Sequence, residues 1–465
     1  MRGAARNRAR RGVRLIAAGA VLTLVLGACG NSGDDDTDAA PSEGTTGGGG
    51  GDLDENVPID EVGVTDSEIR VTVVASVTNP LGGRYKEFAD GVQAYFDMVN
   101  ADGGIYGREL TIAKVRDDQL ANNQAEIQAA IAEDDAFAVF VAALLFTGAN
   151  DLATERVPTF GWNINPEWIG PDNFFPNSGA LCFGCPGKIL PWLAKELGKT
   201  KIGIVGYGTS AQSKLCAEGN RESFELYADE TGAEVVFYDD TVSFGVTDLS
   251  AQVAQMKEAG VDFVTTCMDQ NAVLTLAEEM DKQGIDVVQH MPQGYDASYV
   301  SENAEVLEGN YIVPQFTAFE HEPQPETMQQ FLEWIDKTGA EPVELAMQGW
   351  IAARQFHEGL KLAGPEFDRE KVIAALNGVT DFTADGMIVP IDWTRQHEDP
   401  AENPDARGAL SCANFVQVSG GEMVSVFAED GKPWVCFDAR SEEWEEPTFY
   451  SFVDYSADGG SGEGE

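Results

Sequence analysis

Between Ile69 and Met291 the chain runs through one rhythm twice, a short β-branched run followed by a stretch with apolar residues at helical spacing. The first pass predicts strands at Ile69 to Val77, Leu110 to Val115, Ala136 to Ala142 and Thr159 to Trp162. Helices are predicted between them, at Arg84 to Asn100, Gln119 to Ala132 and Thr147 to Arg156. Phe88, Val92, Tyr95, Phe96 and Val99 mark one face of the first helix. Strands joined through helices pair in parallel and need cover on both faces, which is the α/β class. The second pass predicts strands at Lys201 to Val205, Glu234 to Tyr238, Phe263 to Cys267 and Val287 to Met291. Its helices fall at Ile189 to Leu197, Ala211 to Glu230, Leu249 to Ala259 and Ala272 to Gln283. Two doubly wound, Rossmann-like lobes in series follow. Three further helices (Glu326 to Thr338, Val343 to Leu362, Arg369 to Asn377) and a β-rich end complete the chain.

The N-terminal residues belong to no lobe. Residues 1–28 carry six arginines and no acid, and their apolar run from Leu15 to Leu26 is too short to span a bilayer. This is the pattern of an export signal. It ends in Leu26-Gly27-Ala28-Cys29, a lipobox-like sequence that makes Cys29 the expected lipidation site; the alternative is an ordinary secretory signal with a chance cysteine. Residues 29–65 read as the lipidated cysteine and a linker rich in Gly, Ser and acid, and 451–465 as a frayed tail. The formal net charge of −48 becomes more negative once the signal is removed, which excludes nucleic acid and anionic headgroups as partners. An extracytoplasmic, lipid-anchored monomer is expected.

Several motifs suggest chemistry. Gly206-Tyr207-Gly208-Thr209-Ser210-Ala211 fits a dinucleotide fingerprint after a strand, but it also fits a tight turn beside any cleft of this class, and no hydride-transfer site accompanies it. Cys182-Phe183-Gly184-Cys185 before a helix resembles a thioredoxin motif but lacks the strand that should precede it. The four histidines (His290, His321, His357, His397) are far apart, so neither metal nor cofactor is expected, and no G-x-S-x-G occurs. A binding protein, not an enzyme, is the reading. In an oxidising compartment disulfides are the default for six cysteines. Cys412 and Cys436 bracket two β-rich runs and are expected to pair. For the rest, Cys182–Cys216 and Cys185–Cys267 are preferred, because a C-x-x-C bridge is redox-labile.

The order of several short phrases resembles one family, the type I periplasmic solute-binding proteins of the leucine/isoleucine/valine branch of ABC importers. These phrases are Asn79-Pro80-Leu81-Gly82-Gly83, Val99-Asn100-Ala101-Asp102-Gly103-Gly104-Ile105-Tyr106-Gly107-Arg108, Asn165-Pro166-Glu167, Val246-Thr247-Asp248-Leu249, and Gly386-Met387-Ile388-Val389-Pro390-Ile391-Asp392-Trp393. The resemblance implies a three-strand hinge, with lobe I at 66–177 plus 314–384 and lobe II at 178–313 plus 385–450. A solute is then captured between the lobes and delivered to a membrane ABC permease. A ligand-sensing lipoprotein that reports to a receptor or kinase is the alternative.

Loops at strand C-termini supply the candidate binding residues. In lobe I these are Thr78, Arg84, Leu145, Phe146, Thr147, Trp162 and Asn163. In lobe II they are Tyr207, Asp269, Gln270, Gln293 and Tyr295, with Phe316 near a crossover. The chain departs from amino-acid-binding relatives where Leu145, Phe146 and Ile164 replace hydroxyls and Gln293 replaces an acid. An amino-acid-like solute, an amide or an apolar carboxylate is therefore expected, with Asp269 as the one substitute partner for an ammonium.

Overall fold

The computed structural model describes residues 56–453 and 455. The export signal, Cys29 and most of the linker lie outside these residues. The chain is ordered earlier than the linker assignment allows: the Arg108 guanidinium donates to the carbonyls of Val57 and Thr65, both at 2.7 Å. The tail also begins later than 451, since Phe452 is buried with its ring 5.8 Å from that of Trp434.

The first sheet grows from β1 (Glu68–Ala75), α1 (Lys86–Ala101), β2 (Glu109–Asp117), α2 (Asn123–Glu133), β3 (Ala138–Ala142), α3 (Ala149–Thr154), β4 (Thr159–Gly161) and β5 (Phe174–Pro176). Its order is β2-β1-β3-β4-β5, every pair parallel. All five residues of β3 are buried, as a strand covered on both faces requires. The second sheet follows: α4 (Ile189–Glu196), β6 (Lys201–Tyr207), α5 (Ala211–Leu226), α6 (Ala228–Thr231), β7 (Glu234–Val242), α7 (Ser250–Ala259), β8 (Phe263–Cys267), α8 (Gln270–Gln283), β9 (Val288–Met291), α9 (Ala297–Glu302), α10 (Ala304–Leu307) and β10 (Tyr311–Ile312). The single helix expected at Ala211 to Glu230 is broken at Tyr227, which closes α5 and opens α6.

The chain then returns to the first sheet with α11 (Glu326–Thr338), α12 (Glu344–Ala363) and α13 (Arg369–Leu376), where α12 packs along α1. It comes back once more with β11 (Leu410–Ala413), β12 (Phe415–Ser419), β13 (Glu422–Val426), β14 (Trp434–Asp438) and β15 (Thr448–Tyr450). The second sheet reads β13-β12-β10-β9-β8-β6-β7, with an antiparallel hairpin at its edge, and β11-β14-β15 forms a small antiparallel sheet. Three passages therefore connect two α/β lobes. Asn414 locks one of them: its amide donates to the carbonyls of Phe316 (2.7 Å) and Pro314 (3.3 Å).

α1 and α12 approach backbone to backbone. A Cβ on Gly91 would stand 1.8 Å from the Ala346 carbonyl oxygen, and one on Gly349 2.0 Å from that of Phe88. Only glycine fits either position.

Cys412 is joined to Cys436 across the β11–β14 pair. The other four cysteines pair otherwise than expected, Cys182 with Cys185 and Cys216 with Cys267, in place of Cys182–Cys216 and Cys185–Cys267. The cause is the register of β6 and β8. It brings Cys267 to the end of β8 beside Gly206, under the first turns of α5 where Cys216 sits.

Candidate functional site

The C-terminal ends of β1, β3 and β4 face those of β6, β8 and β9, and side chains bridge the gap. The Asn271 amide donates to the Pro80 carbonyl (3.2 Å), and its backbone N–H to that of Leu81 (3.4 Å). The Gln212 amide donates to the Leu144 carbonyl and to the Asn165 side-chain oxygen, both at 3.3 Å. Arg84 reaches Asp296 at 3.3 Å. Between these bridges lies a cavity of about 40 Å³, room for a few waters. In this arrangement of the lobes the cavity is too small for a solute of organic size.

Five of the expected residues line this cavity: Arg84, Trp162, Gln270, Gln293 and Tyr295. Tyr85 and Glu344, which the sequence reading missed, line it too. Tyr85 and Trp162 form an aromatic wall, their centroids 5.6 Å apart with planes at 57°. Gln293 faces the Tyr85 hydroxyl, whose pKa is raised chiefly by burial and further by the charges of Asp269 and Glu344. Tyr295 closes the opposite side; its hydroxyl donates to Glu320 (2.6 Å) and accepts from the Phe319 N–H (2.6 Å).

The other expected residues have different duties. Asp269 caps α8, accepting from the N–H groups of Asn271 (3.0 Å) and Ala272 (3.1 Å), and it also takes the Tyr207 hydroxyl hydrogen bond. Burial nonetheless pushes its carboxyl up, against those bonds. Tyr207 lies against Phe244, centroids 4.4 Å apart. Phe146 packs with Trp168 and Phe174 on the far side of the sheet, and Thr147 is exposed, accepting from the Gln124 N–H at 3.2 Å. Thr78 is exposed beside Asp117, Leu145 does not line the cavity, and Asn163 is buried, donating to the Gly179 carbonyl (2.6 Å). The helix start at Thr147 thus does not line the cavity. Phe316 is buried behind Tyr295, centroids 5.6 Å apart.

The charges in the cavity do not balance locally. Arg84 is shared among Glu87 (3.0 Å), Asp296 and Glu341, so its positive charge is already matched. Glu344 opens α12 at the cavity wall, and its carboxylate makes no hydrogen bond or ion pair among the described residues. Burial pushes it up to about 7. No sequence signal marked Glu344, because its position depends on the glycine contacts of α1 with α12.

A larger groove, about 500 Å³, runs beside the Cys182–Cys185 loop. Its cations are engaged: Lys188 with the Asp438 carbonyl and Glu445, and Arg407 with the Pro400 carbonyl. The dinucleotide-like turn also has a packing explanation, since a Cβ at Gly208 would meet the Thr241 backbone at 2.9 Å. Among the described residues no group of His, Cys, Asp and Glu could hold a metal, and no helix is long and apolar enough to cross a membrane.

No curated protein matches the chain by sequence. Solved structures do match in fold. A fatty acid ABC transporter substrate-binding protein from Thermomonospora curvata superposes with a TM-score of 0.63 at 18% identity, covering 79% of this chain and 93% of that one. A branched-chain amino acid transporter substrate binding protein from Streptococcus pneumoniae, solved with isoleucine, gives 0.64 at 18%, covering 77% and 99%. A solute binding protein of an ABC transporter from R. palustris, solved with benzoate, gives 0.60 at 17%, covering 77% and 96%. At such identities the likeness is one of fold, and the ligands belong to those proteins. The family model described as periplasmic binding protein matches residues 68–454. With this fold and an interlobe cleft, the chain belongs to the periplasmic binding protein family, whose members bind solutes and are not enzymes.

Proposed function

We propose that this protein is an extracytoplasmic receptor, tethered by lipid on Cys29, that captures a small organic solute between its lobes and delivers it to an ABC importer. Lobe I, 66–177 plus 314–384, and lobe II, 178–313 plus 385–450, are the moving bodies. The observation that carries this reading is the aromatic-walled cavity of Tyr85, Trp162 and Gln293, to which both lobes contribute. A solute that touches both walls binds the closed state more tightly than the open one, and that difference drives closure. Of the solute classes the sequence left open, the amino-acid-like one is favoured over an apolar carboxylate. Thr147 does not line the cavity, while an unpaired carboxylate lines it.

The test is mass spectrometry of solute co-purified with the protein, followed by calorimetry of that solute with Trp162→Ala. Affinity should fall at least tenfold and scattering should report closure on binding. A solute that binds Trp162→Ala unchanged lies outside the cleft.

A further inference from the structure

We infer that the solute carries a cationic amine or ammonium group, held by the Glu344 carboxylate beside the Tyr85 and Trp162 rings. This rests on the cleft being the binding site and specifies its chemistry. Among the described residues the only cation on the cavity wall is Arg84, and it is held by Glu87, Asp296 and Glu341, so none of these residues offers a free positive charge to an anionic solute. Asp269 is occupied by Tyr207 and the first amides of α8. Among the described residues Glu344 is the one lining acid without a partner, and a half-buried carboxylate in such a cleft is costly unless protonated or matched by a cation. The tilted pair of aromatic rings supplies the second element of a cation site, since electron-rich ring faces attract ammonium groups. The helix terminus beneath Glu344 tolerates the carboxylate until the solute arrives.

The same geometry makes binding pH-dependent. Burial keeps Glu344 largely protonated below about 7, so a cation that binds there displaces a proton. The other ionisable groups around it are Tyr85 and Tyr295, whose hydroxyls burial pushes up, and Glu320, also pushed up by burial, on the Tyr295 hydroxyl. Asp118, Asp269, Asp296 and Arg84 also lie around this cavity wall, the last two paired with each other.

Calorimetry and thermal shift with propylammonium and choline, against the cation-free propionamide and benzoate and the zwitterion isoleucine, test the inference. At least one of the two cations should bind, roughly tenfold tighter per pH unit from 5 to 7 and level above that. Glu344→Gln, nearly isosteric, should weaken it at least tenfold and remove the pH slope. Binding of propionamide, benzoate or isoleucine, lost in Trp162→Ala but unchanged in Glu344→Gln, would overturn the cation assignment and leave the cleft standing. Failure of both cations to bind at millimolar concentration overturns it as well. Cation binding indifferent to both substitutions would remove the cleft along with it. If Glu344→Gln does not fold, the pH slope of the wild-type protein decides alone: a flat slope refutes the inference.

Discussion

Replacing Cys216 and Cys267 together by alanine should cost more than removing either other disulfide. The loops closed by Cys216–Cys267, Cys412–Cys436 and Cys182–Cys185 span 51, 24 and 3 residues. Restricting the unfolded chain over such loops is worth about 4, 3.5 and under 2 kcal/mol respectively at 25 °C. The native surroundings add to the first figure. The Asn220 amide sits 3.8 Å from the Cys216 sulfur and 3.5 Å from that of Cys267. The Ser213 hydroxyl donates to the Cys267 carbonyl (2.5 Å) while accepting from the Tyr207 N–H (2.7 Å). The bridge therefore also holds the turn that carries Tyr207. Urea unfolding of the three double-alanine variants without reductant, followed by far-UV circular dichroism, gives the ranking. The variants are compared on the transition each one moves, because two lobes need not unfold together. If Cys182→Ala/Cys185→Ala costs as much as Cys216→Ala/Cys267→Ala, the reasoning fails, since that result belongs to a crosswise pairing in which Cys182 and Cys185 close the long loops.

Gly91→Ala or Gly349→Ala should destabilise by about 2–4 kcal/mol, because the added carbon meets a helix backbone that cannot rotate away; chemical denaturation measures it, and a loss under 0.5 kcal/mol would mean the helices sit farther apart. The raised Glu344 carboxyl favours the unligated fold below its unfolded value of 4.5, and that contribution disappears as pH rises through about 7. Glu344→Gln should therefore gain melting temperature relative to wild type between pH 5 and 8; a constant difference contradicts the burial of this group. Cys29→Ala should move the protein from the membrane fraction to the medium, and retention in the membrane would place the anchor elsewhere.

The lobes were legible because each strand run and each amphipathic stretch carries its own periodicity. Ile69, Val71 and Val73 announce β1, and Phe88, Val92 and Phe96 announce the buried face of α1. β5, β10, β11, β14 and β15 were not legible. Tyr311–Ile312 is a strand only because β9 and β12 lie on either side, and Phe174–Pro176 only because β4 does. The site divides in the same way. Trp162, Gln270, Gln293 and Tyr295 follow strand ends, and that rule located them. Phe146 and Thr147 obey it too, yet the aromatic cluster of Trp168 and Phe174 draws their loop toward the far face. Glu344 follows no strand and is brought in by helix packing over a long sequence separation. The crosswise disulfide choice failed because it weighed redox lability and not the register that sets Cys267 under α5.

The hydrogen bonds from Asn271 and Gln212 to the opposite lobe, and the Arg84–Asp296 pair, involve no solute. These contacts favour the closed arrangement without help from a solute, so under the proposed function part of the closed population would be empty. Under the proposed delivery to an ABC importer, an empty closed molecule would present the permease with the same outline as a loaded one, so such bonds would lower the contrast between full and vacant receptors. They also shorten the step a weakly held solute must drive, since a receptor already biased toward closure needs less from its cargo. Loosening Arg84 would thus trade capture at low solute concentration for a cleaner loaded-or-empty signal at the membrane.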